Sequence, residues 1–180
     1  MALKATIYKA ELQIADMDRN YYQEHILTLA RHPSETDERM MIRLLAFAIH
    51  ASDALTFTKG LFDTEEPDLW QKDLTGAIQL WIEVGQPDDK RLMKACGRSE
   101  RVVVYSYSAT SHLWYKQIAN KLERAKHLTV INIPAEASAQ LEALASRNMQ
   151  LQCTIQDGQI YLTDSVSTVL IEREDFKAER

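Results

Sequence analysis

The stretch Pro67 to Gln86, PDLWQKDLTGAIQLWIEVGQ, decides how this chain is read. From Gly76 to Gly85 the side chains alternate. Ile78, Leu80, Ile82 and Val84 fall on one side and Gln79, Trp81 and Glu83 on the other, a period of two that specifies a strand with the first set in the core. Pro67 to Asp73 reads as a second strand and Asp73-Leu74-Thr75-Gly76 as the turn between them. An antiparallel hairpin closed by that turn sets Asp68 opposite Trp81, on the same side of the sheet as Glu83 and diagonal to it. Diagonal neighbours lie about 7–8 Å apart, close enough for two carboxylates to share one Mg²⁺ or Mn²⁺, hard cations that prefer oxygen ligands. A solvated hairpin face is the plainer alternative for the same pattern.

Upstream, Pro33-Ser34-Glu35-Thr36-Asp37 supplies a helix start with Ser34 as N-cap and acids in the first turn, ahead of the apolar rows Met41, Leu44, Leu45 and Ala48. The helix is expected to run to about His50. Glu38 lies on its stripe Glu38, Met41, Ile42, Leu45, Ile49, turned inward, and is a candidate third ligand of the same metal. Alternatively it is an ordinary first-turn acid paired with an arginine such as Arg43. Before this helix, strand-like runs at Ala5 to Ile14 and Tyr21 to Arg31 flank the turn-former Asp16 to Asn20, which predicts an appended N-terminal hairpin.

Downstream, Pro87 opens a helix with Asp88 and Asp89 in its first turn. Lys90, Arg91, Lys94 and Arg98 recur along one face of it, a row that can hold phosphates of DNA or RNA and that otherwise serves as a solvated face. A buried strand follows at Arg101 to Tyr107, then a helix at about Ser111 to Lys126, a strand at Thr129 to Ile133 and a helix at Ala135 to Arg147. Asp157-Gly158, between Leu151, Cys153, Ile155 and Ile160, Leu162, marks a C-terminal β-hairpin.

The chain has 180 residues, 46% hydrophobic and 26% charged, as in an ordinary globular protein, and no repeat or proline-rich linker. One continuous domain, 1–180, is expected. Within it the segments are an N-terminal hairpin (1–32), a core bearing the acids (33–110) and C-terminal helices with a hairpin (111–180). The only candidate hinge is the acidic loop Leu61 to Glu66. A net charge of -5 excludes bulk electrostatic coating of nucleic acid but not a local basic face. The opening MALKATIYKAELQ lacks the apolar run of a signal peptide, and no apolar block is long enough to span a bilayer, so a cytoplasmic location without membrane attachment is expected. Cys96 and Cys153 have neither CxxC spacing nor paired histidines nearby, and read as reduced, buried thiols.

The blocks "ARHPSETDERMMIRLLAFAIHA", "EPDLWQKDLTG", "WIEVGQPDDKRLMKACGRS", "VVVYSY" and "LQCTIQDGQIYLTD" resemble the YaeQ family of small bacterial proteins over nearly the whole chain. The resemblance implies a variant of the PD-(D/E)xK, or restriction-endonuclease-like, fold: a mixed sheet flanked by helices, here with N-terminal and C-terminal hairpins. That superfamily places a carboxylate after a proline on one strand, matched by Pro67-Asp68, and an acid, any residue, then lysine on the next. Glu83-Val84 matches the start of the second motif, but Gly85 stands in the lysine's place. Since glycine cannot activate water or stabilise charge on a phosphate, Gln86 or Lys90 would have to take over that role.

His25, His32, His50, His112 and His127 lack HxxxH spacing, and neither a GxSxG elbow, a P-loop nor GxGxxG occurs. The tryptophans Trp70, Trp81 and Trp114 read as packing elements. Two functions are therefore expected in competition. One is a metal-dependent phosphodiesterase with Glu38, Asp68 and Glu83 on Mg²⁺ or Mn²⁺ and Gln86 and Lys90 at the water and phosphate. The other is a catalytically silent module that binds nucleic acid or protein on a nuclease-like fold.

Overall fold

A computed structural model describes residues 4–179. In chain order its elements are β1 (Thr6–Asp16), β2 (Tyr21–Arg31), α1 (Asp37–His50), β3 (Leu55–Phe57), β4 (Leu69–Lys72), β5 (Ile78–Val84), α2 (Asp89–Arg98), β6 (Ser99–Tyr107), α3 (Ser111–Ile118), β7 (Leu128–Ile133), α4 (Ala135–Ala143), β8 (Asn148–Gln156), β9 (Gln159–Thr163), β10 (Thr168–Ile171) and β11 (Glu174–Lys177). The fold class is mixed α/β, with two mixed sheets. The chain divides into two compact units, Met1–Ile49 with Ala135–Glu172, and His50–Pro134 with Arg173–Arg180. These units cut across the three segments expected along the sequence.

The first unit holds a five-stranded sheet in the order β10-β9-β8-β1-β2. The N-terminal hairpin forms where expected, with Asn20 at φ 56 in its turn, but it is no appendage. Strand β1 also pairs in parallel with β8, Ala10 against Met149, Leu12 against Leu151 and Ile14 against Cys153, so β1 is interior. These pairs match buried apolar residues on one face, which fixes the register because a one-residue slip would turn them all to water. The Asp157-Gly158 turn forms with both residues at positive φ, 52 and 76. Its two amides donate to the Asp18 carboxylate at 2.8 and 2.9 Å, which binds this turn to that of the N-terminal hairpin.

Helix α1 begins later than Ser34 because Thr36, not Ser34, accepts the Arg39 amide at 3.1 Å and caps it, while Ser34 Oγ bonds the His32 ring. Every residue from Met40 to Ile49 is buried, so this is a core helix rather than an amphipathic surface one.

The second unit holds a six-stranded sheet in the order β11-β7-β6-β5-β4-β3. Strands β5, β6 and β7 run parallel and the others antiparallel to their neighbours. Trp81, Val102, Val104, Leu128 and Val130 on one face of this sheet pack with Leu92 and Ala95 of α2 and Trp114 and Ile118 of α3. The tryptophans are packing elements as expected, Trp114 spending its indole N–H on the Pro87 carbonyl at 2.9 Å. Helix α3 stops at Ile118 and tightens into a 3₁₀ turn over Ala119–Leu122, so the expected helix to Lys126 is shorter. Cys153 is buried, with its thiol pushed up to about 12 by burial, whereas Cys96 is only half-buried.

Candidate functional site

The hairpin β4–β5 forms, but with Trp70 opposite Trp81 and Leu69 opposite Ile82. Asp68 was expected in the place Trp70 takes. The register has moved by two residues, from two sources. The turn runs one residue longer, because the Asp73 carboxylate accepts the amides of Thr75 and Ala77 at 2.8 and 3.0 Å and holds it open. A bulge between Gln71 and Lys72 contributes the other residue. An even shift preserves the face, and Asp68, one step beyond the ladder, remains beside Glu83.

Both faces of β5 are buried: Leu80 and Ile82 on one, Trp81 and Glu83 on the other, with Glu83 5% and Asp68 3% exposed. The site is therefore not a solvated hairpin face. Asp68 is pinned through its own backbone and side chain. Its amide donates to the Ile82 carbonyl at 3.0 Å, and its Oδ2 accepts the Val84 amide at 2.8 Å. Pro67 before it is fixed by the Thr58 hydroxyl, which donates to the Pro67 carbonyl. Burial, and next the neighbouring Asp68 carboxylate, hold the Glu83 carboxyl above its ordinary range, while Arg91 and the Trp81 indole pull it the other way.

The cation that meets Glu83 is a protein side chain. Helix α2 is capped by Asp88, whose carboxylate accepts the Arg91 amide at 2.7 Å, and this sets Arg91 one turn in, facing the acids. Its Nε donates to Glu83 Oε1 at 2.8 Å, and the same oxygen accepts Trp81 Nε1 at 2.9 Å. The rest of the guanidinium reaches the carbonyls of Thr64 and Glu66 at 2.6 and 2.9 Å. Arg91 thus ties α2, β5 and the acidic loop together.

The other expected site residues are placed as follows. Glu38 lies in the first unit, where its Oε2 accepts the Ser138 hydroxyl at 3.1 Å. Arg43 pairs with Glu35, its Nη2 2.7 Å from Glu35 Oε1. Gln86 is exposed and carries its amide to the hydroxyls of Ser108 and Thr110 at 3.2 and 2.9 Å. Lys90 lines a cavity of about 290 Å³ with Thr64, Glu65, Trp81, Arg91, Lys94 and Arg98. Lys94 Nζ stands 3.2 Å from Glu65 Oε2, and Arg98 Nη1 donates to the Glu65 carbonyl at 3.0 Å. The basic row is therefore neither a bare face nor fully free, since the acidic loop answers part of it. Among the described residues no group of three or more His, Cys, Asp or Glu side chains is placed to hold a metal ion.

Residues 1–173 match the family model described as YaeQ protein. The chain belongs to the YaeQ family. It is 47% identical over 165 residues to the YaeQ protein of Escherichia coli (strain K12), covering 91% of each chain, and 46% identical over 173 residues to that of Salmonella typhi, covering 96% of each. The crystal structure of the YaeQ protein from Xanthomonas axonopodis pv. citri superposes with a TM-score of 0.94 at 47% identity, over 97% of this chain and 99% of that one. That from Pseudomonas syringae does so at 0.93 and 34%, over 97% of each.

In this YaeQ chain a glycine at position 85 has a backbone reason. Gly85 sits at φ 118 with its amide on the Tyr105 carbonyl at 2.9 Å, a conformation that side-chain-bearing residues avoid. A Cβ there would meet nothing within 4 Å, so the cost of adding one is backbone strain. Gly85→Ala and Gly85→Lys should each destabilise by about 1–3 kcal/mol, read by urea unfolding, and the two costs should be alike. A much larger loss for lysine would show that the space is not open.

Sequence reading missed Arg91 as the partner of Glu83 and Glu65 as the partner of Lys94. The first had a faint signal, since Pro87-Asp88 fixes where α2 starts and so which basic residue faces back toward β5. The second depends on where a loop folds and had none.

Proposed function

We propose that this YaeQ chain is a catalytically silent nucleic-acid-binding module built on a variant of the PD-(D/E)xK fold. The observation that carries the reading is Arg91 Nε on Glu83 Oε1 at 2.8 Å, a guanidinium where that superfamily's metal would be held. The donor set suits an arginine better than a divalent cation. Two acids meet there, and one oxygen is already shared between Arg91 and Trp81. With Gly85 in the lysine's place, the parts for activating water are lacking as well.

Binding is supported by the cavity beside this pair, where Lys90, Arg91, Lys94 and Arg98 line one wall and Arg98 stacks 5.1 Å from the Trp81 ring centroid. Such a row neutralises phosphates in a salt-dependent way even on an acidic protein. Fluorescence anisotropy with labelled single- and double-stranded DNA and RNA tests it. The expected result is salt-sensitive binding lost in Lys90→Ala/Lys94→Ala, with no strand cut in Mg²⁺ or Mn²⁺. Absence of binding to all four probes, or cleavage abolished by Glu83→Ala, refutes the reading. Glu65 competes with phosphate for Lys94 and Arg98, so Glu65→Ala should tighten binding by about 2–5-fold, the scale of an exposed ion pair. An unchanged affinity would remove the acidic loop from the account.

A second reading, a metal-dependent phosphodiesterase, is favoured by the placement of two buried acids, Asp68 and Glu83, side by side at the end of the β4–β5 hairpin. Two acids that repel would welcome a divalent cation. It requires Arg91 to leave Glu83, and calorimetric Mn²⁺ binding that depends on both Asp68 and Glu83 would support it over the first.

A further inference from the structure

In the interior of the five-stranded sheet of the first unit, β1 and β8 pair in parallel, with Lys9 against Asn148, Glu11 against Gln150, Gln13 against Gln152 and Ala15 against Thr154. The residues between them, Ala10, Leu12, Ile14, Met149, Leu151 and Cys153, are buried, so by strand parity the paired set makes the outer face of the sheet. Cavities of about 390, 300 and 360 Å³ lie on that face. The first two share Glu11, Gln150 and Asp164, and the last two share Gln13, Glu24 and Gln152, so they form one groove along the two strands. From Lys9 to Ala15 it runs about 20 Å, at about 3.3 Å per residue.

The lining selects a sign and a shape. Among the described lining residues Lys9 is the one base, against the three acids Glu11, Glu24 and Asp164. Glu11 stands opposite Ile26 and Glu24 opposite Gln13, so the two glutamates are diagonal neighbours on one face. The Ser167 and Val166 amides hold the Asp164 carboxyl below its ordinary range, which keeps it charged. Such a groove repels phosphates and attracts cations. Side-chain amides stand beside the acids, with Asn148, Gln150 and Gln152 at every second position of β8, and each has donors and an acceptor. Their spacing of about 6.6 Å is the repeat at which an extended peptide presents its own N–H and C=O groups to one side. Gln152 Nε2 meets Gln13 Oε1 at only 3.4 Å, a long contact that a better acceptor displaces. Ile26, 76% exposed beside Glu11, offers apolar surface to the methylene stem of a lysine or arginine whose head reaches the carboxylates.

We propose that this groove binds an extended basic peptide segment of another protein, laid along β1 and β8 with its lysine or arginine side chains on Glu11 and Glu24 and its backbone on the amides of Gln150 and Gln152. The groove's length takes about six residues of extended chain. Its charge selects the basic side chains, and the row of amides selects a peptide backbone over a bare cation.

Fluorescence anisotropy with a labelled octapeptide of alternating lysine and threonine tests the proposal, with its glutamine–threonine counterpart as control and spermine, a polycation without a backbone, as competitor. The expected result is salt-sensitive binding of the lysine peptide alone, weakened about tenfold by Glu11→Gln/Glu24→Gln, the scale of two exposed ion pairs. Gln150→Ala/Gln152→Ala, which leaves the charge of the groove unchanged, should weaken it about threefold, and Lys90→Ala/Lys94→Ala should leave it as it is. The four groove positions are exposed, so these variants should fold, and circular dichroism confirms this. No binding of the lysine peptide up to about 1 mM, the weak end of the affinity scale, overturns the proposal, as does binding indifferent to Glu11→Gln/Glu24→Gln. Equal binding of the glutamine peptide overturns the role of charge. Binding indifferent to Gln150→Ala/Gln152→Ala, or displaced by spermine mole for mole, overturns a peptide as the occupant.

Discussion

Replacing Arg91 with alanine should destabilise the fold by about 3 kcal/mol at pH 7.5, the low end of what removing one partner of a buried ion pair costs. The low end applies because the Arg91 side chain is one-third exposed, while that of Glu83 is 6% exposed. The loss has two sources. Glu83 is left beside Asp68 without a counter-charge, and the Thr64 and Glu66 carbonyls lose their donor. The effect should also depend on pH with a definite sign. The Glu83 carboxyl is held above its ordinary 4.5, so protonation favours the folded state. That contribution is fully present below the unfolded value and is lost as pH rises through the folded one. Arg91 opposes the shift, so its removal raises the Glu83 carboxyl further and widens the window upward from about 4.5. The difference between Arg91→Ala and the parent chain should therefore be largest at pH 7.5 and shrink steadily toward pH 4.5. Glu83→Gln/Arg91→Ala, which keeps an oxygen for the Trp81 indole, should recover part of the loss and flatten the pH dependence. Urea unfolding of the parent chain and these variants across that range is the measurement, and a difference that does not vary with pH would remove Glu83 as the cause.

What could be read from the sequence followed from local periodicity. The alternation from Ile78 to Val84 and the pair Pro67-Asp68 were enough to put Asp68 and Glu83 on one face, and they survive an error of two in register because parity, not register, decides the face. The Asp157-Gly158 turn and the start of α2 are likewise written in a few consecutive residues, whereas the run Pro33 to Asp37 announces α1 without saying that Thr36 rather than Ser34 caps it. What escaped is non-local. The parallel pairing of β1 with β8 joins residues about 140 apart in the chain, and nothing in either segment names the other. Alternation also cannot say whether the second face of a strand is wet. Trp81 and Glu83 looked like an outer face and are covered by α2 and α3. Strand β11, Glu174-Asp175-Phe176-Lys177, is mostly charged and carries no strand signal; it exists because β7 has an edge for it. Glu38 looked inward by helical stripe and is half-buried, but a stripe says only that a residue faces protein, not which protein atoms it will find. It finds the Ser138 hydroxyl.

Arg43→Met should cost more than any change at the candidate site, about 3–5 kcal/mol, or roughly 10 °C in Tm for a chain of this size. The reason lies at the start of α1. The Glu35 carboxylate accepts Arg43 Nε and Nη2 at 2.9 and 2.7 Å, a bidentate fork, and Arg39 Nη1 at 2.6 Å. The Glu35 side chain is 1% exposed and that of Arg43 7%. Methionine fills much of the arginine's volume, so the loss measures charge rather than cavity. Arg39, at 14% exposure, remains to neutralise Glu35, which keeps the variant folded. Glu35→Leu takes the bidentate acceptor away from the Arg43 guanidinium and should cost a similar amount. The double variant Glu35→Leu/Arg43→Met removes both charges together and should lose markedly less than the two single losses added, because a buried pair replaced by apolar side chains is close to neutral. Thermal and urea unfolding of the three variants decides it. Additive losses would show that Glu35 and Arg43 are not coupled, and that the fork counts only as packing.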